Sequence, residues 1–136
     1  MTASAISAPS LRTVRYATAV LFGFGVDFGI TLALSRLIGL YLELSAAIGF
    51  LAALAINYIL FEFWVFRSES SAVSAARASQ TLLAAGAALS VRVSVIWLVR
   101  QMLGDTLPEA VAAIMLGAAA SFSINYLILR VVFARR

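Results

Sequence analysis

The sequence predicts an all-α integral membrane protein, with four transmembrane helices arranged as two similar helical hairpins in a parallel repeat. Three observations carry this expectation. Of the 136 residues, 63% are hydrophobic and only 12% are charged, and the mean hydropathy is +1.03. Soluble domains run to about 45–50% apolar and about 25% charged residues, so this chain has too little polar surface to face water. Four apolar stretches are each long enough to cross a bilayer. A short polar and aromatic motif also occurs twice, at matching places in the two halves. At this length a single domain over 1–136 is expected.

Residues Met1 to Leu11 are rich in Ser, Ala and Thr and include Pro9. Arg12 and Arg15 come next, directly before a full-length apolar run. That is not the order of a cleavable signal peptide, so a short flexible cytoplasmic tail is expected over 1–11.

A bilayer core about 30 Å thick needs about 20 helical residues at 1.5 Å per residue. The first span is expected from about Tyr16 to Ile38 and the second from about Leu44 to Phe66. The third covers about Thr81 to Leu103 and the fourth about Pro108 to Val131. Pro108 suits a first helical turn, where its missing N–H costs nothing.

All ten basic residues are arginines and, Arg92 apart, they sit at the ends of the apolar runs. Arg12, Arg15, Arg67, Arg77, Arg130, Arg135 and Arg136 fall on one side, and only Arg36 and Arg100 on the other. The positive-inside rule then puts both termini in the cytoplasm. Phe61, Phe63, Trp64 and Phe66 would form an aromatic belt at the inner end of the second span. The connection from Arg67 to Gln80 is the only substantial loop. The net charge of +4 is spread as topology determinants rather than gathered on one exposed face, so no nucleic-acid partner is expected.

The repeat aligns Ile56-Asn57-Tyr58 with Ile124-Asn125-Tyr126, an offset of 68. Earlier in each half an offset of 65 fits Arg12 with Arg77, Asp27 with Arg92, and Gly39 with Gly104. The difference places an insertion of three in the second outer loop, with halves at about 12–66 and 77–133. Parallel repeats recur among transporters, with sites between the halves, and also arise whenever a hairpin duplicates.

Charged groups within a span cost about 2.5–3.5 kcal/mol each on insertion scales, so they usually face the bundle. Asp27 and Arg92 lie at equal depth, about 16 Å into spans one and three by helix rise. They carry opposite charge and should approach one another. Such a pair can serve either of two ends. It can be a buried salt bridge that fixes helix packing, or Arg92 can be a ligand for an anionic head group that Asp27 orients. Arginine suits phosphate because its planar fork donates parallel hydrogen bonds. Glu62 and Arg130 make a second complementary pair, each five residues beyond its Asn. Asn57 and Asn125 can hold helices together through hydrogen bonds or meet sugar hydroxyls. The GxxxG spacing at Gly25 and Gly29 fits close helix packing.

With no cysteine and no histidine, the usual metal ligands and general bases are missing, and no cofactor or enzymatic activity is expected. No phosphate-binding loop motif is present, so transport, if any, is not driven directly by ATP.

These residues together resemble the GtrA-like family of small four-helix membrane proteins. The likeness rests on Arg15-Tyr16 leading to Gly23-Phe24-Gly25-Val26-Asp27, on Ala46-Ala47-Ile48-Gly49-Phe50, and on Asn57-Tyr58 running to Trp64-Val65-Phe66. It spans about Arg12 to Phe133. The resemblance implies flipping of a polyprenyl-phosphate-linked sugar across the bacterial cytoplasmic membrane for cell-surface polysaccharide, with a membrane glycosyltransferase as partner. Substrate contacts would then fall to Arg92, Asp27, Asn57, Asn125, Glu62 and Arg130. In one place the chain departs from the family pattern, which often has Asn-Arg before Trp-Val-Phe; here Phe61-Glu62-Phe63 reverses the charge. The alternative is a non-transporting subunit that recruits or stabilises a glycosyltransferase, docking through the loop from Arg67 to Gln80. A small multidrug exporter, also four helices with an acid in the first, fits less well, because dual insertion requires little arginine bias. A homo-oligomer is a further expectation, since four helices leave little room for a polar path.

Overall fold

The structure, a computed structural model, describes residues 8, 10–60, 63–64 and 75–134, with the side chains of 75–78, 129 and 132–134 outside the description. Most of the expected tail, Glu62, Phe61, Phe66, most of the connection from Arg67 to Gln80, and Arg135 and Arg136 lie outside the described residues; Leu11, expected in the tail, instead opens the first helix. All regular structure among the described residues is helical.

Helix α1 covers Leu11–Ala33 and runs on into a π-helical turn, Leu34–Ile38. Helix α2 is Leu42–Leu60, α3 is Ala75–Leu103 and α4 is Leu107–Ala134. All four are long and apolar enough to cross a membrane. Two of them start before the apolar runs do. Ser10 caps α1, its Oγ accepting the Thr13 N–H at 3.2 Å, so the helix opens five residues ahead of Tyr16. Helix α3 opens six residues ahead of Thr81, because Ala, Arg and Gln are good helix formers whether or not lipid surrounds them.

Each hairpin turns on a glycine with positive φ, Gly39 at 78° and Gly104 at 104°, where a side chain would be strained. The turn closes through Leu40 N–H to Leu34 O at 3.1 Å in the first hairpin, and through Gly104 N–H to Arg100 O at 2.9 Å in the second. Helix α4 then starts with half a capping box, the Glu109 carboxylate accepting the Thr106 N–H at 2.8 Å. Pro108 sits in that first turn. The three residues by which the second half is longer form this turn of α4, Leu107 to Glu109, and do not lengthen the loop: both turns leave three residues between helical segments.

Burial follows the same spacing in both halves. Ala19, Gly23, Asp27 and Thr31 are buried on α1, and Ala84, Ala88, Arg92 and Ile96, each 65 residues later, on α3. On α2 the buried residues are Leu42, Ser45, Ala46, Gly49 and Ala53. Ala110, Ala113, Ile114, Gly117 and Ser121, each 68 residues later, are buried on α4. The small residues let backbones approach closely, which is how helices associate in lipid. Packing is densest within each hairpin, α1 on α2 and α3 on α4, and lighter between α2 and α3. An apolar core of Leu42, Ala46, Ile96, Ala110, Ala113 and Ile114, flanked by Phe28, Leu32 and Val99, fills the half of the bundle nearer the hairpin turns. Outward-facing Leu21, Phe22, Leu51, Leu83, Leu98 and Met115 are exposed, as lipid-facing residues should be.

Candidate functional site

The polar centre of the bundle is built on the buried row of α1. Thr31 lies one turn beyond Asp27 and is fully buried. Its hydroxyl donates to the Asp27 carbonyl at 2.7 Å and lies 3.4 Å from Asp27 Oδ1 and 3.5 Å from the Ser45 carbonyl of α2. Gly49 of α2 passes directly over this turn. The Asp27 carboxylate is thereby held toward α3, where Oδ2 stands 2.8 Å from Arg92 Nη2. The two side chains are 6% and 1% exposed, so the pair is sealed from its surroundings.

Nη2 of Arg92 makes the 2.8 Å contact with Asp27, while its Nε is buried without a hydrogen-bond partner. The guanidinium carbon lies 6.0 Å from the centre of the Phe50 ring, a cation–π contact at the limit of its range. Buried donors without partners cost about 1–3 kcal/mol each, and more when charged. The centre therefore holds an arginine with unused donor capacity.

One turn from Asp27 toward the chain termini, the Asn57 amide of α2 packs on Gly23 so tightly that a β-carbon at Gly23 would collide with it. Asn57 Oδ1 is buried and accepts no hydrogen bond. The structure thus gathers Asp27, Arg92 and Asn57 into one region. Asn125 is half-buried on α4, and Arg130 is exposed near its end. Glu62, expected opposite Arg130, lies outside the described residues.

The roles of three features escaped the sequence reading. Thr31 sits four residues after Asp27, a spacing that places both on one helix face and could have flagged it. Gly49 entered the sequence reading only as part of the family motif; its role is a contact across helices, which no local pattern reveals. The third is a charge cluster at the hairpin end. Arg100 Nη1 meets Glu43 Oε2 at 2.6 Å and Nη2 meets Asp105 Oδ2 at 3.1 Å. Arg36 Nη2 donates to the Asp105 carbonyl at 3.1 Å. In the sequence these residues registered only as flanks of spans.

Four membrane-length helices in two tight hairpins, with a charged pair enclosed between them, define a multi-pass helical membrane protein. The family model described as GtrA/DPMS, transmembrane domain, matches residues 15–133, and the chain belongs to that family. No curated protein and no solved structure matches it. Membership agrees with the family resemblance of the sequence and ties the chain to membrane functions involving polyprenyl-phosphate sugars.

Proposed function

We propose that the protein carries a polyprenyl-phosphate-linked sugar from the inner to the outer leaflet of the bacterial cytoplasmic membrane, where the sugar serves cell-surface polysaccharide synthesis. The observation that carries this is the state of Arg92: fully buried, paired with Asp27 through Nη2, yet with Nε lacking a hydrogen-bond partner. A phosphate oxygen can accept from Nε and, where it displaces the Asp27 carboxylate, from Nη2 as well. Asp27 neutralises the arginine while the site is empty and orients it when phosphate arrives. Asn57 Oδ1, also without a partner, offers an acceptor for a sugar hydroxyl one turn away. The prenyl chain stays in lipid against the apolar outer faces. Both termini lie in the cytoplasm, as the arginine bias requires, and a membrane glycosyltransferase there loads the lipid. Movement runs down the substrate gradient.

The test is reconstitution into liposomes with a labelled polyprenyl-phosphate sugar. Arg92→Lys keeps the charge and loses the fork, so the folded variant should flip at least about tenfold more slowly, the loss of one charge-assisted hydrogen bond; Arg92→Gln should be slower still. Normal rates in both variants would make Arg92 a packing residue. If the wild type itself moves no lipid, the protein is instead a subunit that recruits or stabilises the glycosyltransferase.

A further inference from the structure

A cleft of about 410 Å³ opens at the hairpin end, lined by Tyr41, Glu43, Trp97, Arg100, Gln101 and Asp105. That volume falls within the range of about 300–1,000 Å³ usual for small-molecule sites. We propose that this cleft binds the pyranose ring of a glycoside. Its place in the cycle rests on the transport reading above: on the far side of the membrane it receives the sugar head group once the phosphate has passed Arg92.

The charges select the ligand. Arg100 is already held by Glu43 and Asp105, and Arg36 donates to the Asp105 carbonyl. Within the cleft Arg100 stands between two carboxylates, so an incoming anion meets Glu43 and Asp105 while an incoming cation meets Arg100. A neutral ligand that both donates and accepts is opposed by neither. Carboxylate oxygens beyond those in the ion pairs can accept hydroxyl protons, and the Gln101 amide can do both. Arg100 Nε is buried without a hydrogen-bond partner.

The aromatic residues supply the other half of sugar chemistry. Tyr41 is 76% exposed and Trp97 55% exposed, leaving ring faces open to the C–H edge of a pyranose. Aromatic residues also gather at membrane interfaces simply as anchors. An anchor, however, needs lipid rather than a cleft shared with two carboxylates, an amide and an arginine. The repeat sharpens the contrast. At the positions equivalent to Trp97 and Gln101 the first half has Leu32 and Arg36, and at the position equivalent to Glu43 the second half has Val111. Trp97, Gln101 and Glu43 thus have no like residue at the equivalent positions of the other half.

The experiment uses the full chain in phosphatidylcholine nanodiscs, free of sugar-headed detergent. The chain has two tryptophans, Trp64 and Trp97, so Trp64→Phe leaves Trp97 as the reporter. Methyl α-glucopyranoside, methyl α-galactopyranoside and methyl α-mannopyranoside are titrated, with glycerol as the polyol control. At least one glycoside should give a saturable fluorescence change in the millimolar range that glycerol does not. Tyr41→Leu and Gln101→Leu, both at exposed positions, should each weaken it about fivefold or more. No saturable change with any glycoside, an equal response to glycerol, or indifference to both substitutions would overturn the site and leave Trp97 as an interfacial anchor. Flipping is measured on the same purified proteins reconstituted into liposomes. Flipping without glycoside binding rejects the cleft and keeps transport; glycoside binding without flipping rejects transport and keeps the cleft.

Discussion

Gly49 lies so close to Asp27 that a β-carbon there would stand 2.7 Å from the Asp27 carbonyl oxygen and 2.8 Å from its Oδ1. The second half has the corresponding contact with different chemistry. A β-carbon at Gly117 would stand 2.9 Å from Ile96 Cγ1 and 3.3 Å from the Arg92 carbonyl. Backbone cannot retreat easily, whereas an isoleucine side chain can. Gly49→Ala should therefore cost about 1–3 kcal/mol, the range for overpacking, and Gly117→Ala clearly less. Thermal unfolding of the purified variants in one detergent checks the order, and equal losses would contradict it.

The pairing of Asp27 with Arg92 predicts a strong coupling. Removing one member leaves a buried charge without compensation, at about 3–5 kcal/mol. Asp27→Asn and Arg92→Gln should each destabilise the bundle by amounts in that range, and the double variant by less than their sum. A double-mutant cycle on unfolding free energy measures this. Strict additivity would mean that the 2.8 Å contact carries no energy.

Asn57 separates a packing role from a ligand role. Its Oδ1 is buried without a partner, so Asn57→Ala relieves an unsatisfied acceptor worth about 1–3 kcal/mol. Stability should hold or rise while flipping slows. A loss of stability with normal flipping would make the amide a structural contact.

Topology can be read directly, because the chain has no cysteine. Cysteine placed at Asp105, exposed at the hairpin end, should react with an impermeant maleimide from outside intact cells. Cysteine at Arg77 should react only after permeabilisation. The reverse pattern would invert the proposed orientation.

The spans were legible in the sequence because lipid demands long unbroken apolar runs. The meeting of Asp27 and Arg92 was legible because the repeat gave them equal depth. Helix ends were less so: α3 begins at Ala75, since residues that favour helix continue beyond those that favour lipid. The three additional residues of the second half looked like loop but form a turn of α4, where Thr106 and Glu109 cap it. Thr31, Gly49 and the cluster around Arg100 depend on how one helix is rotated against another, which side-chain fit across the bundle decides and local sequence does not. The pairing of Glu62 with Arg130 was a sequence expectation on which the described residues are silent.

The Asp27–Arg92, Glu43–Arg100 and Arg36–Asp105 contacts all join the first hairpin to the second, and this bears on biogenesis. A ribosome delivers the first hairpin to the membrane before the second exists. Until α3 arrives, Asp27 sits among helices that offer it Thr31 but no cation, and an acid at that depth costs about 2.5–3.5 kcal/mol on insertion scales. The nascent first hairpin is thus an incomplete product whose stability is supplied late, by a residue synthesised 65 positions downstream. A chain truncated after α2 should be a target for membrane quality-control proteases, and co-expression of the second half should rescue it.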